Sequence, residues 1–189
     1  MKKQIPLIIG AVVVVLAVAG GLVWWQASQN KNQYNNGGAT QNSSFAGPKD
    51  ACNYLTEAVA VKVLGAGAEK GISNGGAASE DISVSTCTYT SKVGDSLADI
   101  KNMRTATLLV RSPLTAAGAA SNDEPFDNRK TGAITVSGYG EKAYWDPELG
   151  QLNVLKGGVW LIISLGKSAL AEHTIDETKR LADEIVPQF

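Results

Sequence analysis

Hydrophobic and polar positions divide this chain into three stretches. Gln4 to Asn30 contains no charged residue, and within it Pro6 to Trp25 is a run of 20 apolar or small side chains with no polar stripe. A helix of that length rises about 30 Å, the thickness of a bilayer's hydrocarbon core, and pairs its main-chain polar groups internally. A buried helix of a globular core would show a polar face, so the run predicts one N-terminal transmembrane helix. Lys2, Lys3 and the terminal amine precede it, and Trp24 and Trp25 close it. By the positive-inside rule the N-terminus is cytoplasmic, residues 6–25 meet the lipid bilayer, and the rest lies on the extracytoplasmic side of the cell membrane. Ala17-Val18-Ala19 before Gly20 also fits a signal-peptidase site, and cleavage there would secrete the same domain.

The pattern then turns polar. Residues 26–48 hold five Asn and four Gln with Lys31 as the sole charge, too little apolar surface to offset the entropy of ordering. Residues 26–49 are thus a flexible Asn/Gln/Ser/Gly linker, and such a chain spans on the order of 25 Å.

Residues 50–189 alternate between helical and strand periodicity. Ala51–Leu64 places Leu55, Val59 and Leu64 near helical spacing ahead of Gly65 and predicts a helix; the Gly- and Ala-rich residues 65–81 predict a long loop. Ser83–Thr90 and Thr105–Arg111 are rich in β-branched residues and predict strands. Ser112-Pro113 reads as N-cap and N1 of a helix running to about Ala120, and residues 121–132 as a loop. Four strands follow at Ala133–Val136, Lys142–Asp146, Gln151–Lys156 and Val159–Leu165. A two-residue turn at Gly157-Gly158 would pair Leu155 with Trp160, Val154 with Leu161 and Leu152 with Ile163. Both faces of Val159–Leu165 are apolar, which predicts a central strand covered by helices on at least one side. Thr174-Ile175-Asp176-Glu177 is a capping box for a last helix striped by Leu181, Ala182, Ile185 and Val186 and ended by Pro187. The order predicts an α+β domain, a single antiparallel sheet with helices packed against it.

Charge and composition narrow the function. Lys and Arg number 17 against 18 Asp and Glu; Lys2, Lys3, Lys31 and Lys49 precede every acid, leaving 13 basic against 18 acidic residues in the domain, a net of −5. That lacks the basic excess needed for nucleic acid or for docking by charge onto anionic lipid. One His and two Cys cannot furnish a His-rich or four-cysteine metal site, so no metal is expected. Gly65-Ala66-Gly67 follows a helix rather than a strand, and its spacing to Gly71 misses the dinucleotide fingerprint, so no cofactor is expected either.

Cys52 and Cys87 are the sole cysteines and lie outside the membrane in this topology, which predicts a structural disulfide. The alternatives are unpaired buried thiols, or a nucleophilic thiol with His173, the single His, as its base. No Gly-x-Ser-x-Gly elbow accompanies His173, which reads as a solvated residue on a turn before the last helix. Glu80-Asp81 and Asp123-Glu124 fall in predicted loops with nothing to bring two carboxylates to one cleft. No catalytic constellation is visible. Tyr139, Tyr144, Trp145 and Trp160 cluster in the strand region as a candidate aromatic platform for glycan or peptide, set against core packing of at least two of them.

Short motifs also resemble a family of small exported lipoproteins of unknown function, common in actinobacterial envelopes. They are Cys52-Asn53-Tyr54-Leu55-Thr56 leading to Leu64-Gly65, Cys87-Thr88-Tyr89, Gly138-Tyr139-Gly140-Glu141-Lys142-Ala143-Tyr144-Trp145, Leu152-x-Val154 before Gly157-Gly158, and Leu181-Ala182 in the closing helix. The resemblance implies a paired Cys52–Cys87 and carries over no catalytic residue; this chain lacks the lipid-bearing cysteine and has an apolar span instead. Together these features predict a membrane-anchored extracytoplasmic binding or interaction module whose partner is an envelope protein, peptide or glycan. An envelope hydrolase and an accessory subunit of a membrane protein complex are the alternatives.

Overall fold

The structure, a computed structural model, describes residues 45, 47–92, 94, 97–128, 131–167 and 173–189. The predicted transmembrane helix at 6–25 and nearly all of the predicted linker lie outside these. Among the described residues no helix is long and apolar enough to cross a membrane. A 3-10 turn at Ala51–Asn53 leads into α1 (Glu57–Leu64), then β1 (Glu69–Lys70), β2 (Asn74–Ala78), β3 (Ile82–Thr90), α2 (Leu97–Lys101) and β4 (Arg104–Pro113). After these come α3 (Ala116–Asp127), β5 (Ile134–Thr135), β6 (Lys142–Asp146), β7 (Gln151–Lys156), β8 (Val159–Lys167) and α4 (Ile175–Ile185). The strands form a single antiparallel sheet in the order β1-β3-β4-β8-β7-β6-β5, with β2 also paired to β3. This is the α+β sandwich that the periodicities predict.

Strand alternation assigns the two faces of the sheet. Cys87 and Tyr89 on β3, Ala106, Leu108 and Val110 on β4, and Leu161, Ile163 and Leu165 on β8 are buried, while the residues between them are partly exposed. The buried set joins Leu152 and Val154 of β7 and is covered by Val59, Ala60 and Val63 of α1 and by Leu181, Ala182 and Ile185 of α4. Each fully buried Leu or Ile is worth about 1.5–3 kcal/mol, and a one-residue slip would turn the whole set to the other face, so the core itself holds the register. Gly157 and Gly158, with φ of 58° and 75°, supply the left-handed pair that a tight hairpin needs. The predicted pairs Leu155–Trp160, Val154–Leu161 and Leu152–Ile163 all form, and β8 lies centrally between β7 and β4.

Several local expectations are corrected. Ala51–Leu64 is not one helix: Asp50 Oδ1 accepts from Cys52 N at 2.9 Å and Thr56 Oγ1 from Val59 N at 3.4 Å, so two caps start two short helices and Leu55 between them is buried. The predicted loop at 65–81 contains β1, a single Glu-Lys pair, and β2, whose small side chains carry no pattern; main-chain pairing to β3 orders both. The connection between β3 and β4 contains α2, and the strand expected at Ala133–Val136 shortens to β5. Ser112 and Pro113 do not open a helix; β4 continues through them, and Thr115 is the N-cap, accepting from Gly118 N at 3.2 Å. The helix then runs through the predicted loop to Asp127 despite Pro125. Asn122 Nδ2 donates to both Arg111 O and Gly158 O at 2.9 Å, and Phe126 is buried, which together outweigh the hydrogen bond Pro125 cannot make.

Candidate functional site

Asn122 and Phe126 fix α3 on the face of the sheet opposite α1 and α4. Phe126 meets the rings of Tyr144 and Trp160 edge-on at 5.2 and 5.9 Å, and with Leu155 this makes a second, smaller core. Trp160 is oriented further by Nε1, which donates to Asn153 Oδ1 at 3.0 Å. The helix covers only part of the face. Beside it the register aligns Val84 with Arg111 and Arg111 with Trp160, and in the next row Thr86 with Leu109 and Leu109 with Ile162.

These rows line a groove of about 560 Å³ whose floor is Val84, Leu109 and Ile162. Ile82 and the Ala78-Ser79 end of β2 bound it on one side, and Arg111 with Trp160 on the side of α3. The Arg111 guanidinium stacks over the Trp160 ring at 5.3 Å, and its Nη2 donates to Ser121 Oγ at 3.0 Å. No carboxylate among the described residues forms an ion pair with Arg111. Burial pushes its pKa below the ordinary guanidinium value, and an arginine still keeps its charge. The groove thus combines an apolar floor with one cation that has no counter-charge among the described residues.

The four aromatic residues singled out in the sequence do not converge. Tyr144 and Trp160 share the second core with Phe126; Trp145, next to Tyr144 on one strand, points to the opposite face and is 4% exposed in the main core. Tyr139 lies apart, its hydroxyl donating to Asp183 Oδ1 at 2.7 Å. Burial first, then the Asp183 hydrogen bond and charge, raise its pKa beyond the ordinary phenol range. Of the four, Trp160 lines the groove.

Cys52 and Cys87 form a disulfide, with Cα atoms 5.0 Å apart. His173 is not the solvated residue expected: it is half-buried, and its ring nitrogens face Gly150 O at 3.3 Å and Lys167 O at 2.8 Å. It packs where Gly150 and Gly166 have no side chains and so clamps a turn to the end of β8. Both ring nitrogens face main-chain carbonyls rather than a nucleophile. Asp81 Oδ1 accepts from Thr115 Oγ1 at 2.5 Å, and Asp123 and Asp127 both pair with Lys142 at 2.7 Å. Those two hydrogen bonds raise the Lys142 pKa. These acids tie α3 to the sheet and do not face one another across a cleft.

Sequence reading missed Ile82, Val84, Leu109, Arg111 and Ile162 as site residues. The signal was present in Leu108-Leu109-Val110 and Leu161-Ile162-Ile163, where apolar residues occupy both parities of a strand. Comparison with protein-family models, curated proteins and solved structures finds no match to this chain. The resemblance to exported envelope lipoproteins therefore rests on the short motifs alone.

Proposed function

We propose that this chain is a membrane-anchored extracytoplasmic binding module, with Pro6–Trp25 holding the domain at the membrane and the groove on the sheet's second face receiving the ligand. The groove carries the reading. An exposed face of an antiparallel sheet is ordinarily polar, yet here Val84, Leu109 and Ile162 are partly exposed beside a guanidinium that has no carboxylate partner among the described residues. An apolar concavity with a few polar groups at its margin is the form small-molecule sites take. Among the described residues its lining holds no His or carboxylate that could activate Ser79, which favours binding over turnover. The disulfide supports export, because such links persist in oxidising compartments.

The test is site-specific photo-cross-linking of the full chain in intact cells, with the photoreactive residue at Val84 or Ile162 and, as a control, at the exposed Leu149. The expected result is an adduct of defined mass at the groove positions that Leu149 does not give. No adduct at either groove position, or the same adducts at Leu149, overturns the proposal.

A further inference from the structure

Resting on that reading, we propose that the groove holds a single acyl chain with a carboxylate head, the chain over Val84, Leu109 and Ile162 and the head paired with Arg111. Three observations select this occupant. First, the lining offers hydrocarbon almost throughout, with Ser79 and Arg111 as its polar side chains. The floor belongs to strands β3, β4 and β8, whose main-chain groups are engaged in ladders with neighbours on both sides. A peptide or glycan laid across such a face finds no main-chain partner for the polar groups it turns to the floor, and an acyl chain has none to satisfy.

Second, Arg111 is committed to Trp160 and Ser121 through one face of the ring and one nitrogen, so further N–H groups remain for a planar, two-oxygen acceptor. A half-buried cation with no counter-charge among the described residues gains most from an anion that arrives with its own apolar body. Third, the domain's 13 basic and 18 acidic residues repel polyanions and anionic surfaces at long range. One unpaired guanidinium matches one negative charge, which favours a lone fatty carboxylate over a phosphate dianion or a bilayer surface.

The experiment uses the full chain in phosphatidylcholine nanodiscs, labelled by a diazirine-bearing palmitate, digested and mapped by mass spectrometry. Label is expected on β3, β4 and β8, displaced about tenfold more effectively by palmitate than by hexadecanol, which has the same chain and no charge. Arg111→Gln should erase that preference and Arg111→Lys should keep it, while Ile162→Glu should abolish groove labelling. Cooperative thermal unfolding of each variant confirms that it folds. An unlabelled groove, equal displacement by hexadecanol, or an unchanged preference in Arg111→Gln overturns the inference. If palmitate leaves the groove unlabelled while the cells give a peptide or glycan adduct at Val84 or Ile162, this inference falls and the binding module stands. If neither gives an adduct, both fall.

Discussion

Replacing Cys52 and Cys87 together by Ala removes the one covalent link between the 3-10 turn at Ala51–Asn53 and β3. The closed loop spans 35 positions and includes α1 and the β1–β2 edge. Loop-closure entropy released to the unfolded chain amounts to about 4 kcal/mol for a loop of this length. Cys87 is 0% exposed, and losing its sulfur from the core adds a packing cost of about 1 kcal/mol. Set against the roughly 5–15 kcal/mol by which ordinary domains are stable, this is a large share. The melting temperature of the full chain should fall by roughly 10 °C or more. Urea unfolding followed by near-ultraviolet circular dichroism measures the loss. Wild-type protein treated with reductant should nearly match the double variant, which separates the link from the side chains. A loss below about 1 kcal/mol would refute the reasoning, because the unfolded chain would then already hold that loop compact.

Other changes probe α3 and the loops around the core. Phe126→Ala should cost about 3–4 kcal/mol and raise amide exchange in α3 while β4 and β8 stay protected, since Phe126 anchors the helix to Tyr144 and Trp160. Exchange rising equally throughout the sheet would contradict it. Gly118→Ala should destabilise by roughly 1–3 kcal/mol despite alanine's better helix propensity, because its Cβ runs into the Asp81 carbonyl that accepts from Leu114 N at 2.7 Å; a more stable variant would exclude that close approach. Because the folded state raises the Tyr139 pKa above the free value of 10.0, its contribution to stability is fully present below about pH 10 and is lost as pH rises through the higher folded value. Tyrosinate absorbance should therefore show a phenol titrating above the free range that Tyr139→Phe removes, and an unchanged high-pH phase in Tyr139→Phe would refute the assignment.

Legibility followed how local each signal is. Strands β6 to β8 and α4 could be read because period-2 and helical patterns there are punctuated by Gly157-Gly158, Thr174 and Pro187. β2 could not, since Asn-Gly-Gly-Ala-Ala has no side-chain alternation and is ordered by β3's main chain. α3 was hidden because its anchors are one polar residue, Asn122, and one aromatic, Phe126, embedded among Ser, Asp, Glu and Pro. Trp145 and Tyr144 illustrate a reading that alternation should have prevented, because neighbours on a strand face opposite ways. The groove draws on residues near 83, 110 and 161, and only the β3–β4–β8 register makes them neighbours.

The second face of the sheet changes character along its strands. Away from α3 the rows read Thr88–Thr107–Ser164, with the two Thr hydroxyls 3.4 Å apart, and water satisfies such a surface without any cover. Nearer α3 the rows become Val84–Arg111–Trp160 and Thr86–Leu109–Ile162, in which Thr86 carries the one hydroxyl and over which the groove lining includes no α3 residue. Leaving apolar side chains open forgoes about 25 cal/mol for each Å² uncovered, and an unpaired half-buried guanidinium adds its own desolvation cost in the same place. A ligand with an apolar body and an anionic end relieves both at once. Leu109→Thr combined with Ile162→Thr would extend the hydroxyl rows across the groove. If the apolar floor serves a ligand rather than the fold, this pair should change stability by no more than about 1 kcal/mol, because both side chains are already partly solvated, and should abolish palmitate labelling. A loss of several kcal/mol with labelling retained would mean that Leu109 and Ile162 belong to the core and that the ligand, if any, binds elsewhere.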